Sequence, residues 1–201
     1  MEKDYKCLQS SRLDMGAGYH QPAFPTRPVT LESMALEVMT DLRLVPAATI
    51  DAELAIDFAN QAMIARGVRS LLVIDGKGDV IGVVTSRDIL GERPMQVVSK
   101  RGVRHDDIKV GDVMTPRGAI EVLDMAEVVR ARVGSIICTL RRSGRQHALV
   151  VDRDSVTNRQ MVRGIFSASQ IARQLGVSLE TTEIARTFAE IEAAIADDIL
   201  V

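Results

Sequence analysis

The sequence predicts an α/β fold made of two tandem copies of one β-α-β-β-α unit. Three observations carry that prediction. Short strings recur in the same order along the chain. A stretch with a 3.6-residue apolar period precedes two apolar runs that are too short and too branched for helices. The polar text between those runs, DGKGD, has the length and the glycines of a hairpin turn.

The repeat comes first, because it organises everything else. VMT stands at 38–40 and again at 113–115, 75 positions later. GVRSLLVID (67–75) lines up with GRQHALVVD (144–152) at an offset of 77. IGVVTSRDI (81–89) lines up with RGIFSASQI (163–171) at an offset of 82, so the second copy carries five extra residues between its strands. The copies run over about 38–90 and 113–175.

Within the first copy the elements follow in order. LRLVPAATI is a short extended piece, and Pro46 makes it an edge or irregular strand. Ala55, Phe58, Ala59, Ala62 and Met63 fall on one face of a helix that Gly67 terminates. LLVI is a fully buried strand and VIGVVT its partner, with DGKGD between them. DGKGD lacks the spacing and the Lys-Ser/Thr of a Walker loop, so it is a turn and not a phosphate site. The matching loop DRDSVTNRQM is longer and has no glycine. A second helix begins near Ser86.

Composition narrows the function. The 201 residues are 46% hydrophobic and 26% charged, with 3% aromatics and no Trp, so the core is aliphatic. That composition and a net charge of −2 speak against a nucleic-acid reader or a protein drawn to anionic membranes. Arginines between Arg130 and Arg163 read as a solvated surface. Cys7 and Cys138 read as free thiols of a reducing compartment, and the charged N-terminus lacks a signal-peptide core. The expected location is the cytoplasm, with no membrane span.

The second polar break, Thr85-Ser86-Arg87-Asp88, lies where a buried strand meets a helix. Backbone N–H groups there attract anions. Thr85 and Ser86 offer hydroxyls, Arg87 a forked cation, and Asp88 a carboxylate that can accept from both hydroxyls of a ribose. Such charged hydrogen bonds contribute about 1.5–3 kcal/mol each. The same four residues also spell a capping box that needs no ligand. The second copy has Ser167-Ala168-Ser169-Gln170, which keeps the cap and loses the charge. No catalytic set is legible: no Ser-His-acid relay, no G-x-S-x-G, no metal cluster. The chain does not read as an enzyme.

The tandem unit, the VMT lead-in and the block VID…IGVVTSRDI with its echo resemble a pair of CBS domains. The resemblance covers about residues 38–175. It implies a pseudo-two-fold pair with two clefts between the copies, where family members commonly bind AMP, ADP, ATP or S-adenosylmethionine. The family pattern falls on Gly82, Val83, Thr85 and Asp88. It implies that Thr85 and Arg87 meet phosphate, that Asp88 meets ribose, and that Arg69 lies near the ligand. It sets Thr40 and Thr115 at the cleft mouths. In the second copy Gly164, Ile165 and Ser167 match, whereas Gln170 departs from the pattern, which favours one ligand per chain.

The expected organisation is an extended arm (1–30), a first CBS domain (31–95), a connector (96–112), a second CBS domain (113–176) and an amphipathic helix (177–201). That helix carries a seam of Ile184, Phe188, Ile191, Ile195 and Ile199, read as a dimerisation element. His105-Asp106-Asp107 in the connector reads as a solvated loop, and neither His20 nor His147 has ligand-spaced partners. The functional expectation is a regulatory module, homodimeric, with an adenosine nucleotide as regulatory ligand and no required cofactor. The alternative is a ligand-free dimeric scaffold acting on an unknown protein partner.

Overall fold

The computed structural model describes residues 11–18 and 28–176. Most of the expected arm, the expected tail helix, Cys7 and His20 lie outside the described residues. Strand β1 (Thr40–Asp41) is the first lead-in. It is followed by β2 (Thr49–Asp51), α1 (Ile56–Arg66), β3 (Ser70–Ile74), β4 (Val80–Thr85) and α2 (Ser86–Leu90). Helices α3 (Arg93–Arg101) and α4 (Val110–Val113) lead to the second lead-in, β5 (Thr115–Pro116). The second copy then gives β6 (Val122–Asp124), α5 (Met125–Val128), α6 (Val133–Ser143), β7 (His147–Arg153), β8 (Gln160–Ser167) and α7 (Ala168–Gln174).

Among the described residues the strands form two four-stranded sheets, ordered β2-β3-β4-β5 and β6-β7-β8-β1. Each is mixed: its first pair is parallel and the others antiparallel. Each VMT lead-in therefore joins the sheet of the other copy: Thr115 pairs with Val83, and Thr40 with Ile165. Sequence proximity gives no hint of this exchange. The cores follow it. One core joins Ala35, Val38 and Met39 to Val133, Leu140, Val150 and Phe166 of the second copy. The other joins Ile108, Val110 and Val113 to Ile56, Leu71, Val73 and Val84 of the first.

The exchange explains the glycine that precedes each polar motif. A Cβ on Gly82 would stand 2.5 Å from Met114 Sδ and 2.9 Å from the Thr115 carbonyl oxygen. A Cβ on Gly164 would stand 2.6 Å from Met39 Sδ. The Met of each VMT is seated on the glycine of the other copy, so the two motifs require each other.

Helix α1 keeps the expected period and most of the expected inward face, with Phe58 the exception. Ile56, Ala59 and Met63 are buried, with Ala62 packed beside them, whereas Phe58 is 56% exposed. Ala55 is the N-cap, and Ile56 supplies the first inward position, with Ala59 and Met63 following at i+3 and i+7. Gly67 ends α1 at φ 62° and Gly144 ends α6 at the same angle, a left-handed cap that glycine adopts without strain. The DGKGD turn closes through Gly78 N–H to the Asp75 carbonyl (2.9 Å), while Asp75 Oδ1 accepts from the Lys77 and Asp79 amides. In the longer second loop Asn158 takes the positive φ (55°), and Asp154 Oδ1 gathers the Val156 and Thr157 amides.

In the connector, α3 runs on to Arg101, and His105–Asp107 is an exposed 3-10 turn. Pro94 near its N-terminus and Gly102 (φ 66°) after its end delimit α3. Ion pairs tie the copies together. Arg163 pairs with Asp41 of the exchanged lead-in and with Asp152 (3.5 Å), and Arg159 pairs with Asp79 across the two hairpin loops. Among the described residues no helix is long and apolar enough to cross a membrane.

Candidate functional site

A cleft of about 880 Å³ opens where the motif of the first copy faces the second copy. That is within the range of about 300–1,000 Å³ usual for small-molecule sites. Val83, Thr85, Arg87 and Asp88 line one side with Ser70 and Leu72. Thr115 reaches the cleft because β5 is hydrogen-bonded beside β4. Arg145, Gln146, His147 and Leu149 of the second copy form the facing wall.

Asp88 is held tightly. Its Oδ2 accepts from the Thr85 amide (2.8 Å) and the Thr85 hydroxyl (2.7 Å), and the Asp88 amide donates back to Thr85 Oγ1 (3.3 Å). This is the reciprocal capping box legible in the sequence. Helix α2 is only five residues long, so its dipole adds little, and the cap occupies much of the carboxylate. The other oxygen, Oδ1, pairs with Arg93 (2.9 Å). Arg93 also donates to the Val113 carbonyl (2.6 Å) and to Thr115 Oγ1 (3.3 Å). One guanidinium therefore joins the motif acid, the exchanged lead-in and the start of α3.

Arg87 is exposed at the rim, and no described residue pairs with its guanidinium. Arg145 donates to the Ala119 carbonyl (3.2 Å) and stands 4.0 Å from Glu121. The cleft thus carries three arginines (87, 93, 145) and three acids (Asp88, Glu92, Glu121). Burial, reinforced by the charge of Arg69, lowers the pKa of His147 from 6.5 to about 4. At neutral pH the facing wall offers a neutral imidazole.

The remaining residues named from the sequence lie elsewhere. Arg69 does not line this cleft; its carbonyl accepts from the Ser86 amide (3.0 Å), and its side chain acts on His147 electrostatically. Thr40 stands at the motif of the second copy, where its hydroxyl donates to Gln170 Oε1 (3.1 Å). Ser167 and Ser169 share a hydrogen bond there (3.1 Å). The two motifs therefore differ in substance. Gln170 is bonded directly by its lead-in threonine, whereas a guanidinium lies between Asp88 and Thr115.

Sequence reasoning missed Arg93 and the facing wall. The repeat itself held the signal for the wall, since GRQH is the counterpart of GVRS at the start of the central strand. Nothing local marks Arg93. One further grouping unites Asp57 of α1 with His105 and Asp106, their ligand atoms within 4.8 Å of one another. All three are exposed and Arg104 pairs with Asp106 (3.2 Å), which is not the enclosed ligand set of a built metal site.

Comparison with known proteins follows the same lines. The family model described as CBS domain matches residues 35–94. The uncharacterized protein MK0525 of Methanopyrus kandleri is 31% identical over 62 residues, 31% of this chain and 32% of that protein. The match thus spans about a third of that curated relative's length. Among solved structures, an uncharacterized conserved protein from Pyrococcus horikoshii superposes with a TM-score of 0.53 at 21% identity. That superposition covers 77% of this chain and 100% of the other, a likeness of fold. CBSX2 from Arabidopsis thaliana, solved in complex with AMP, gives 0.49 at 21% identity over 70% of this chain and 94% of its own.

Proposed function

From the premise that residues 35–94 form a CBS domain, we propose that this chain is a regulatory module. It holds an adenosine compound (AMP, ADP, ATP or S-adenosylmethionine) in the cleft between its copies and signals occupancy by a change of shape. The observation that carries this reading is the convergence of Thr85, Arg87 and Asp88 with Thr115 and the Arg145–His147 wall on one cleft. Asp88 accepts the ribose hydroxyls, and Arg87, without a described partner, meets phosphate. The apolar sides of Leu72, Val83, Ile120 and Leu149 enclose the base. The site binds and does not turn over its ligand, one per chain, because Gln170 replaces the acid at the second motif. The module acts in the cytoplasm as a homodimer, and light scattering of the purified chain tests the dimer.

Thermal shift and calorimetry with the four ligands test the binding. At a hundredfold excess over Kd the protein gains about 2.7 kcal/mol. In a chain of this size that raises Tm by about 5–10 °C. Asp88→Ala removes the response and Gln170→Ala leaves it unchanged. One observation favours the rival reading, a ligand-free scaffold: both oxygens of Asp88 already have partners. A wild type that responds to none of the four ligands decides for the scaffold.

A further inference from the structure

Asp88 and Arg93 both line the cleft. The Asp88 side chain is 12% exposed and that of Arg93 44%. Oδ2 already accepts two hydrogen bonds, from the amide and the hydroxyl of Thr85. Oδ1 is therefore the freer oxygen of the carboxylate, and Arg93 holds it. A sugar diol that takes two bonds from Asp88 must displace or share that guanidinium. Arg93 has nowhere dry to go: its other acceptors, the Val113 carbonyl and Thr115 Oγ1, are on the same side of the cleft.

Resting on the nucleotide reading above, we propose that Arg93 is the specificity-determining residue of this cleft. It occupies the sugar-binding carboxylate when the site is empty and exchanges it for a phosphate when a phosphorylated ligand enters. An uncharged adenosine breaks the Asp88–Arg93 pair and gives the arginine nothing in return. A phosphorylated one breaks the same pair and supplies a doubly accepting anion, the geometry a guanidinium fits best. The charges of the lining agree. With Asp88 engaged by the sugar, Arg93 joins Arg87 as a second cation free to meet phosphate. Arg93 is also the first residue of α3, so the exchange acts on the start of the helix that leads into the connector.

The test is the affinity of the full-length chain for adenosine and for AMP, by calorimetry, in wild type, Arg93→Met and Arg93→Lys. Methionine keeps an apolar stem and removes the charge. In Arg93→Met adenosine binds about three- to tenfold tighter, as the competitor is gone, while AMP binds several-fold weaker. The preference for AMP over adenosine falls at least about tenfold. Arg93→Lys keeps part of the preference, because a point charge replaces the fork. A preference unchanged in Arg93→Met, or both ligands weakened alike, overturns the proposal. If the wild type binds neither compound, the nucleotide reading has failed by itself. Hydrogen exchange without ligand then judges the contact: faster exchange across Arg93–Arg101 in Arg93→Met supports the Arg93 clasp, and unchanged exchange refutes it.

Discussion

The seating of each lead-in methionine on the opposite glycine makes a quantitative prediction about two substitutions that look identical in sequence. Gly82→Ala and Gly164→Ala each add one methyl group to a buried strand. Inserting a methyl into a packed core costs about 1–3 kcal/mol, depending on what can yield. At Gly82 the new Cβ meets Met114 Sδ at 2.5 Å and the Thr115 carbonyl at 2.9 Å. The methionine can turn aside, but the carbonyl belongs to the strand paired with β4 and moves only with the sheet. At Gly164 the three nearest atoms, at 2.6, 2.9 and 3.0 Å, all belong to the Met39 side chain, which has three rotatable bonds. We therefore expect about 3 kcal/mol for Gly82→Ala and about 1 kcal/mol for Gly164→Ala. For a chain of this length these correspond to falls in Tm of about 6–12 °C and 2–4 °C. Urea unfolding followed by circular dichroism, with equal m-values for the variants, measures the difference. A Gly164→Ala loss equal to or greater than that of Gly82→Ala would refute the argument that backbone contact sets the order.

Three other outcomes follow from the contacts described. Asp88→Ala should destabilise the ligand-free protein by about 1–2 kcal/mol in urea, because the capping box is lost whether or not the cleft is filled. Gly67→Ala and Gly144→Ala should each cost about 1 kcal/mol through the left-handed cap, with little effect on ligand affinity. The pH dependence should carry the mark of His147, whose folded pKa near 4 lies below its unfolded value of 6.5. Between those values the unfolded chain binds the proton and the folded chain does not. This contribution is therefore complete above pH 6.5 and is lost as pH falls towards 4. The gap between the two values corresponds to a total loss of about 3 kcal/mol, and His147→Gln should remove that part of the stability profile.

Much of this architecture was legible because the chain states it twice. The strands LLVI and VIGVVT, the DGKGD turn and the glycine caps are local devices, and each behaves as its residues dictate. The capping box at Thr85-Ser86-Arg87-Asp88 is likewise local. On α1, Ala59, Ala62 and Met63 face the core as read, whereas Phe58 satisfies the period yet lies outside the buried sector centred on Ile56, Ala59 and Met63. Long-range facts had no local carrier. Nothing in VMT announces that its strand completes the other sheet. Arg93 follows the motif by a few residues, but only the fold of α3 brings its guanidinium back to Asp88. Arg69 is not among the residues lining the first cleft, which takes its facing wall from the corresponding segment of the other copy.

The crossed lead-ins also bear on how such a chain can be cut or duplicated. Severed in the connector, each piece would keep three strands of its own sheet, hold a fourth belonging to its sibling, and expose a bare edge. Fragments of that kind are built to find each other, so co-expressed halves should reassemble where either one alone would aggregate. The pair is in this sense a single object written as two, and neither copy can drift far in sequence without the other having to follow.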